Sequence, residues 1–246
     1  MRRAPSTVPP AGGRSSARLG LTLRSVLLSP HDGFAAALKG AERRARAGRR
    51  PAEGMAPYVL AAVGGAATAS LWLKVGSMSG LREVCTDRFV GVNIAAALLL
   101  GALLGLIAQA IWGLVGPATV RSLRGDTEGR SLRLVWGASE FPQVLALALL
   151  LPLDLLIIGT DAYTTASLED PLSTAWAAFS IAIGISLTVW SLFLFIRGVE
   201  VAGGVGFWRA AAATGAALLC WVALIGVLVV IGSTATEVRS CPTRLG

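Results

Sequence analysis

The sequence predicts an all-α, polytopic membrane protein with five transmembrane helices. Its 246 residues are 54% apolar and only 15% charged, whereas an ordinary soluble domain carries about 25% charged residues. Five apolar runs reach or approach the length of about 20 helical residues that crosses a bilayer core of about 30 Å. This composition excludes a purely soluble enzyme and a disordered chain. With only three cysteines, a disulfide-built scaffold is excluded as well.

The chain begins with a strongly basic segment that contains no apolar run long enough to span a membrane. Residues 1–17 are rich in Pro, Gly, Ser and Ala and predict a disordered basic tail. Residues 18–54 predict cytoplasmic juxtamembrane amphipathic helices. Within them, Ser29-Pro30 followed by Asp32 matches an N-cap, a proline at the first helical position and an acid in the first turn.

The helix after Ser29-Pro30 is expected to lie on anionic lipid. Phe34 and Leu38 share one apolar face, and juxtamembrane basic residues each gain about 1 kcal/mol at an anionic surface. The lipid-facing basic residues would be Lys39, Arg43, Arg44, Arg46, Arg49 and Arg50. Nucleic acid is the competing partner, but no aromatic stacking residue accompanies the basic run, so the lipid bilayer is the favoured partner.

Residues 55–232 are predicted to form the membrane domain. The expected spans are residues 55–75, 90–116, 141–159, 174–196 and 209–231. Each span should be a helix, because an unpaired backbone group in hydrocarbon costs several kcal/mol. Residues 233–246 would form a tail beyond the last span.

The distribution of basic residues predicts the orientation of these spans. If the N-terminus is cytoplasmic, 17 of the 22 Lys and Arg residues lie on the cytoplasmic side, as the positive-inside rule requires. The C-terminus is then extracytoplasmic. An acidic loop with Asp161, Glu169 and Asp170 and no basic residue fits the outer side. We expect the protein in the cell inner membrane.

One acidic residue lies inside a predicted span. Asp154 is about 7 Å within the outer end of the third span, and an ionisable group at that depth suggests a function. Lys74 and Asn93 lie at comparable depth and are candidate partners. We favour a structural pair over a proton or ion relay, since a relay would need further buried acids.

A second pattern in the spans is a stripe of small residues. Gly101, Gly105, Gln109 and Gly113 repeat at intervals of four in the second span. Such spacing allows a neighbouring backbone to approach closely, and the amide can bond across the contact. The neighbour is expected in the same chain, with a second copy as the alternative. Ala61, Gly65 and Ala69 form a similar face on the first span.

The sequence offers little material for catalysis. His31 is the only histidine and precedes the first span, so histidine-based zinc sites and Ser-His dyads would have no partners in the membrane. No metalloprotease or nucleophile-elbow motif occurs. We therefore expect no enzyme activity, no cofactor and no metal site.

Two cysteines are expected to form a disulfide. The topology places Cys85 in the first outer loop and Cys241 in the outer tail, where an oxidising compartment allows the bond to persist. Cys220 falls inside the fifth span and would serve as a small packing residue. Two unrelated thiols are the alternative.

The overall layout resembles the Yip1 superfamily of five-span membrane proteins over residues 20–232. The matching features are Ser29-Pro30 with Phe34, Leu123-Arg124-Gly125, Leu132-Arg133-Leu134-Val135, Phe141-Pro142, Trp190-Ser191-Leu192, Gly198-Val199 and Trp208-Arg209-Ala210. The resemblance implies a cytoplasmic N-terminus, an outer C-terminus and no established catalysis. Eukaryotic relatives act in membrane traffic with small GTPases. This chain lacks their Asp-Leu-Tyr-Gly-Pro run, so that partner is not carried over, and its composition suggests a bacterial member.

The expected function is that of a non-catalytic integral membrane scaffold or interaction protein. The alternative is a small transporter or permease-like subunit in which Asp154 and Gln109 line a path. A polar cavity joining these two residues would favour transport, whereas dry packing around both would favour the scaffold.

Overall fold

The computed structural model describes residues 24–46, 55–78, 90–163, 170–216 and 218–219. Within these ranges every regular element is a helix and no strand occurs, which confirms the predicted all-α class. The α-helices are α1 (Pro30–Arg46), α2 (Ala56–Met78), α3 (Val90–Ser122), α4 (Gly129–Ser139), α5 (Phe141–Ile157), α6 (Pro171–Gly203) and α7, described over 207–216. A helical turn at 24–28 precedes α1, and a 3₁₀ helix (Gly159–Tyr163) follows α5.

Among the described residues, four helical segments are long and apolar enough to cross a membrane. They are Ala56–Gly76, Val90–Ser122, Gly129–Ile157 and Pro171–Gly203, and they overlap the first four predicted spans. The fifth predicted span, 209–231, begins in α7, but most of it lies outside the described residues, as do the two predicted tails. These helices are compatible with a multi-pass membrane protein.

Two of the helices extend past the predicted span ends. α3 and α6 have 33 residues each, a length of about 50 Å against a hydrocarbon thickness of about 30 Å. Their predicted spans stop at Gly116 and Ile196, whereas the helices continue to Ser122 and Gly203. Both extensions are at the C-terminal ends, so they project on the same side of the bundle.

α3 continues through Pro117, which sequence rules treat as a helix breaker. Proline has no backbone N–H, so the carbonyl of Gly113 loses its usual intrahelical donor. Gly129, at the start of α4, packs directly on this carbonyl: a Cβ at Gly129 would lie 2.0 Å from the Gly113 oxygen. A glycine at position 129 therefore allows α4 to cover the site where the α3 hydrogen-bond ladder is interrupted.

α4 is a short amphipathic helix inside the predicted loop between the second and third spans. Its buried residues include Leu132 and Val135, which pack with Val120 of α3 and Val199 of α6 in one apolar cluster. We call this layer, built from α1, α4, the extensions of α3 and α6 and the start of α7, the cap. The same cluster includes Trp112, Leu194 and Phe195 of the predicted spans, so the core of the cap is continuous with the bundle.

α1 belongs to the cap, and this corrects one expectation from the sequence. Phe34 is fully buried in the cap core together with Val26, so α1 packs on protein at Phe34, whereas Leu38 on the same face is half-buried. The physical reason is Gly198 of α6, where a Cβ would lie 3.1 Å from the Phe34 ring. The absence of a side chain at Gly198 leaves room for the ring. Lys39 and Arg43, on the other side of α1, are exposed.

α6 starts and stops at clear sequence signals. Asp170 caps its N-terminus by accepting a hydrogen bond from the Ser173 backbone N–H at 2.9 Å. The hydrogen bonds from Ser173 hold the pKa of Asp170 below its usual value. Pro171 follows at the first helical position. Gly204 terminates the helix with φ of 59°, a left-handed conformation that favours glycine.

Candidate functional site

The glycine stripe of α3 packs against α2 of the same chain. A Cβ at Gly105 would lie 2.2 Å from the Ala61 carbonyl oxygen, and one at Gly101 would lie 2.5 Å from the Gly65 carbonyl oxygen. Gly65 in turn faces the backbones of both α3 glycines. The two small-residue faces found in the sequence therefore meet each other. This close contact fixes α2, which carries one half of the candidate site.

Gln109 has a structural role at the cap end of the same contact. Its side chain is fully buried, and its amide donates to the Pro57 carbonyl at 3.2 Å and to the Arg133 carbonyl at 2.9 Å. Gly113, one turn further, faces the stem of the Arg133 side chain. The stripe thus divides between two neighbours, with Gly101 and Gly105 against α2 and Gly113 against α4.

The candidate site is a buried ion pair between α2 and α5. Lys74 Nζ lies 2.8 Å from Asp154 Oδ1, and the two side chains are only 3% and 5% exposed. Trp176 of α6 donates its indole N–H to the same Asp154 oxygen at 3.0 Å. Lys74 also donates to the Ser180 hydroxyl of α6. Asn93, the other expected partner, lies half-buried in the first turn of α3.

The 3₁₀ helix after α5 covers the ion pair. The Tyr163 hydroxyl lies 3.4 Å from the Ser70 hydroxyl of α2, and burial raises the pKa of Tyr163 to about 12. The phenol is therefore neutral at physiological pH. Leu73, Ile158 and Ala177 pack with the Tyr163 ring in a small apolar cluster that closes this end of the site.

A cavity of about 30 Å³ lies beside the ion pair between α2, α5 and α6. Its polar lining residues are Ser70, Lys74, Gln143, Asp154, Tyr163 and Ser180. A water molecule needs about 10–15 Å³ of such space and two to four polar partners, so the cavity has room for about two waters. At the end away from Tyr163, Gln143 donates to the Thr188 hydroxyl at 2.7 Å.

The residues of this site divide into those that the sequence indicates and those that it does not. Asp154 and Lys74 are recognisable because ionisable residues in apolar runs are rare. The α6 residues Ser180, Gly184 and Thr188 are not among the predicted site residues, although their four-residue spacing is the same signal that identifies the α3 stripe. Nothing in the sequence singles out Gln143, which lies next to the proline at the start of α5.

The remaining predicted site residues are on or near the cap, or outside the described ranges. The side chains of Lys39 and Arg43 are exposed, and Arg44 and Arg46 fall in the last turn of α1. Arg49, Arg50, Cys85 and Cys241 lie outside the residues that the structure describes. The lipid contact and the disulfide therefore stay predictions.

The site combines a buried ion pair with a cavity that has room for water. Within the described ranges no group of three or more metal-ligating side chains occurs. Comparison of the chain with protein-family models, curated proteins and solved structures finds no match. The site therefore has to be interpreted from its own geometry.

Proposed function

We propose that this chain is a non-catalytic integral membrane scaffold or interaction protein, similar to the Yip1 superfamily, with its basic cap on the cytoplasmic side of the inner membrane. The observation that carries the proposal is the way α1 is held. Phe34 anchors α1 in the cap core, while Lys39 and Arg43 remain exposed. A basic surface that is fixed to a membrane bundle is suited to binding the headgroups of anionic lipids.

The geometry of α1 separates its anchoring and basic faces. At about 100° per residue, Lys39 and Arg43 lie about 140° and 180° around the helix from Phe34. Anchoring therefore leaves these side chains on the opposite face, where each can gain about 1 kcal/mol from anionic headgroups. Burial of Phe34 and binding of lipid do not compete in this arrangement.

The packing of Gln109 disfavours the transporter alternative. That hypothesis requires Asp154 and Gln109 to line one path. Gln109 is fully buried and bonded to two backbone carbonyls, and the cavity beside Asp154 reaches Gln143. A path through Gln109 would require breaking bonds that join α3 to α2 and α4.

The scaffold proposal is tested by the stability of the purified full chain in detergent with added lipid. A ligand that binds the folded state raises the unfolding temperature, so phosphatidylglycerol should raise Tm more than phosphatidylcholine does. The charge-reversing variant Lys39→Glu/Arg43→Glu should lose this difference. The matched control Lys39→Arg/Arg43→Lys should keep it, because it conserves the charge. Equal Tm shifts for both lipids in the natural chain would contradict the proposal.

A further inference from the structure

We propose that the Lys74–Asp154 pair and the cavity beside it form a proton-transfer site, through which hydrated protons cross the bundle between α2, α5 and α6. The inference goes beyond the scaffold role and uses none of the residues on which that role rests. It rests on three observations: the buried pair, the cavity with room for water, and the polar residues that extend the cavity away from the pair.

The polar residues follow one line along α5. Gln143 and Asp154 are 11 residues apart, which places them on the same face of the helix and about 16 Å apart along it. Both line the same cavity. α6 supplies hydroxyl groups at both ends, since Ser180 accepts from Lys74 and Thr188 accepts from Gln143. The cavity is therefore bordered by groups that both donate and accept hydrogen bonds.

Glu140 extends this line toward the cap. It lies one turn before Gln143 at the junction of α4 and α5, and its carboxylate packs against Gly64 of α2, where a Cβ would be 2.5 Å from Glu140 Oε2. Two carboxylates thus stand about 21 Å apart along α5, which is about two-thirds of a hydrocarbon core of about 30 Å. Glu140 is half-buried, and it supplies the second acid that a relay needs beyond a single ion pair.

The groups that face the cavity define its charge. α2 contributes Lys74 and the Ser70 hydroxyl, and α5 contributes Asp154 and Gln143. The 3₁₀ helix and α6 contribute only neutral groups to its lining. Among the described lining residues, Lys74 and Asp154 are the charged ones, so the resting site is neutral overall. A neutral resting site can accept one proton without placing two like charges together.

The transfer balances with water as the only co-reactant. A hydronium ion that reaches the pair protonates the Asp154 carboxylate and leaves a water molecule. The Lys74 ammonium gives a proton to a cavity water, forming hydronium on the side of Gln143. The carboxylic acid of Asp154 then returns its proton to the Lys74 amine, and the ion pair is restored. The net result is one proton moved past the pair, with no bond formed or lost in the protein.

The experiment uses the full chain in sealed vesicles that contain a pH indicator dye. An acid jump is applied outside, with potassium and valinomycin present to compensate the charge movement. We expect the natural chain to acidify the interior at least 10-fold faster than protein-free vesicles do. The matched control Asp161→Asn, which changes an exposed carboxylate on the 3₁₀ helix, should retain the rate of the natural chain.

Two variants distinguish proton transfer from a purely structural pair. Lys74→Met/Asp154→Leu removes both charges together, a change that often leaves stability unaltered, and should reduce the rate to that of protein-free vesicles. Gln143→Leu leaves the pair intact and should lower the rate at least 5-fold, whereas Ser186→Ala on the exposed face of α6 should not lower it. Helix content and a single gel-filtration peak verify that each variant is folded.

The proposal is overturned if the natural chain acidifies the vesicles no faster than the protein-free control. It is also overturned if the double variant, or Gln143→Leu, keeps the natural rate. Either result would leave the scaffold proposal intact, since Lys39 and Arg43 are unchanged in every variant.

Discussion

Asp154 shows how a charged side chain is accommodated inside an apolar bundle. One of its oxygens accepts hydrogen bonds from the Lys74 ammonium and from the Trp176 indole. The two charges cancel, and the donors replace part of the water that burial removes. Such pairs add little net stability over apolar side chains of similar size, but removing one partner leaves an uncompensated buried charge.

We therefore expect Asp154→Leu to destabilise the protein by about 3–5 kcal/mol, because Lys74 would remain charged and buried. Asp154→Asn should be less damaging, since an amide oxygen still accepts hydrogen bonds. Thermal unfolding of the purified variants in detergent measures both effects. The double change Lys74→Met/Asp154→Leu should recover most of the loss. If it is as unstable as Asp154→Leu alone, the two residues do not act as a pair.

The sequence predicts that a polar site exists here, but it does not predict all the residues that form the site. A carboxylate within an apolar run is visible without a structure, and depth along the helix limits its partners to Lys74 and Asn93. The choice between them, and the addition of Trp176 and Ser180, depend on the rotation of α2 and α6 about their axes. The rotation of each helix is set by how it packs against its neighbours. A stripe of residues in the sequence indicates the packing face only where small residues are frequent.

At the scale of the elements, the contact of α2 with α3 depends on glycines, which have no side chain. Gly65, Gly101 and Gly105 let the two backbones approach so closely that any Cβ would overlap a backbone atom of the partner helix. Between helices in lipid, such packing replaces the hydrophobic driving force that is available in water.

A single added methyl group should disrupt this contact. Gly105→Ala places a Cβ 2.2 Å from the Ala61 carbonyl oxygen, and we expect a loss of about 1–3 kcal/mol from overpacking. Gly76→Ala is the matched control, because it is also in a helix and nothing lies within 4 Å of its Cβ position. That change should stabilise the helix by about 0.5–1 kcal/mol. Unfolding temperatures that fall equally for both variants would argue against the close contact.

The cap shows where sequence patterns mislead at the same scale. An amphipathic helix beside a basic run is typical of a membrane surface, and the pattern of α1 is the same whether its apolar face meets lipid or protein. The deciding residues are far away in sequence. Gly198 provides the space, and Val135 on α4 lines the same pocket. Local periodicity does not predict contacts of this kind.

Phe34→Ala should release α1 from the bundle. Truncating a fully buried phenylalanine costs about 3–5 kcal/mol, and we expect much of the loss to appear as local opening of α1. Hydrogen exchange over residues 30–46 should increase at least 10-fold, while exchange in α3 changes little. Leu28→Ala, at a position that is 72% exposed, is the control and should leave exchange unchanged. Equal protection in Phe34→Ala would show that α1 is held by other contacts.

At the scale of the whole molecule, the fold combines a membrane bundle with a cap at one end. The lengths of α3 and α6 build the cap, because both continue beyond the bilayer thickness on the same side. The charge asymmetry of the sequence favours a cytoplasmic position for that side, and this orientation stays a prediction. The approximate positions of the four described membrane-length helices are predictable from the length of the apolar runs alone. The cap is not, since α4 lies in a stretch that hydropathy assigns to a loop.

A covalent link between the first and last spans is a further prediction at this scale. A Cys85–Cys241 disulfide would close a loop of about 155 residues and stabilise the chain by up to about 5 kcal/mol, less when the unfolded helices stay in the membrane. Labelling of intact cells with a membrane-impermeant maleimide, before and after reduction, measures it. We expect labelling of these residues only after reduction. Labelling of both without reductant would show two free thiols.

The location of the two chain ends tests the proposed topology most directly. The role proposed for the exposed basic face of α1 requires a cytoplasmic cap, and five spans place the two ends on opposite sides. Green fluorescent protein fluoresces when it is fused on the cytoplasmic side, and alkaline phosphatase is active only outside. Fused ahead of Arg2, the fluorescent reporter should be bright and the phosphatase inactive. Fused after Gly246, the phosphatase should be active and the fluorescent reporter dark. Both ends on the same side would mean an even number of spans, and a reversed pattern would place the basic cap outside; either result contradicts the account.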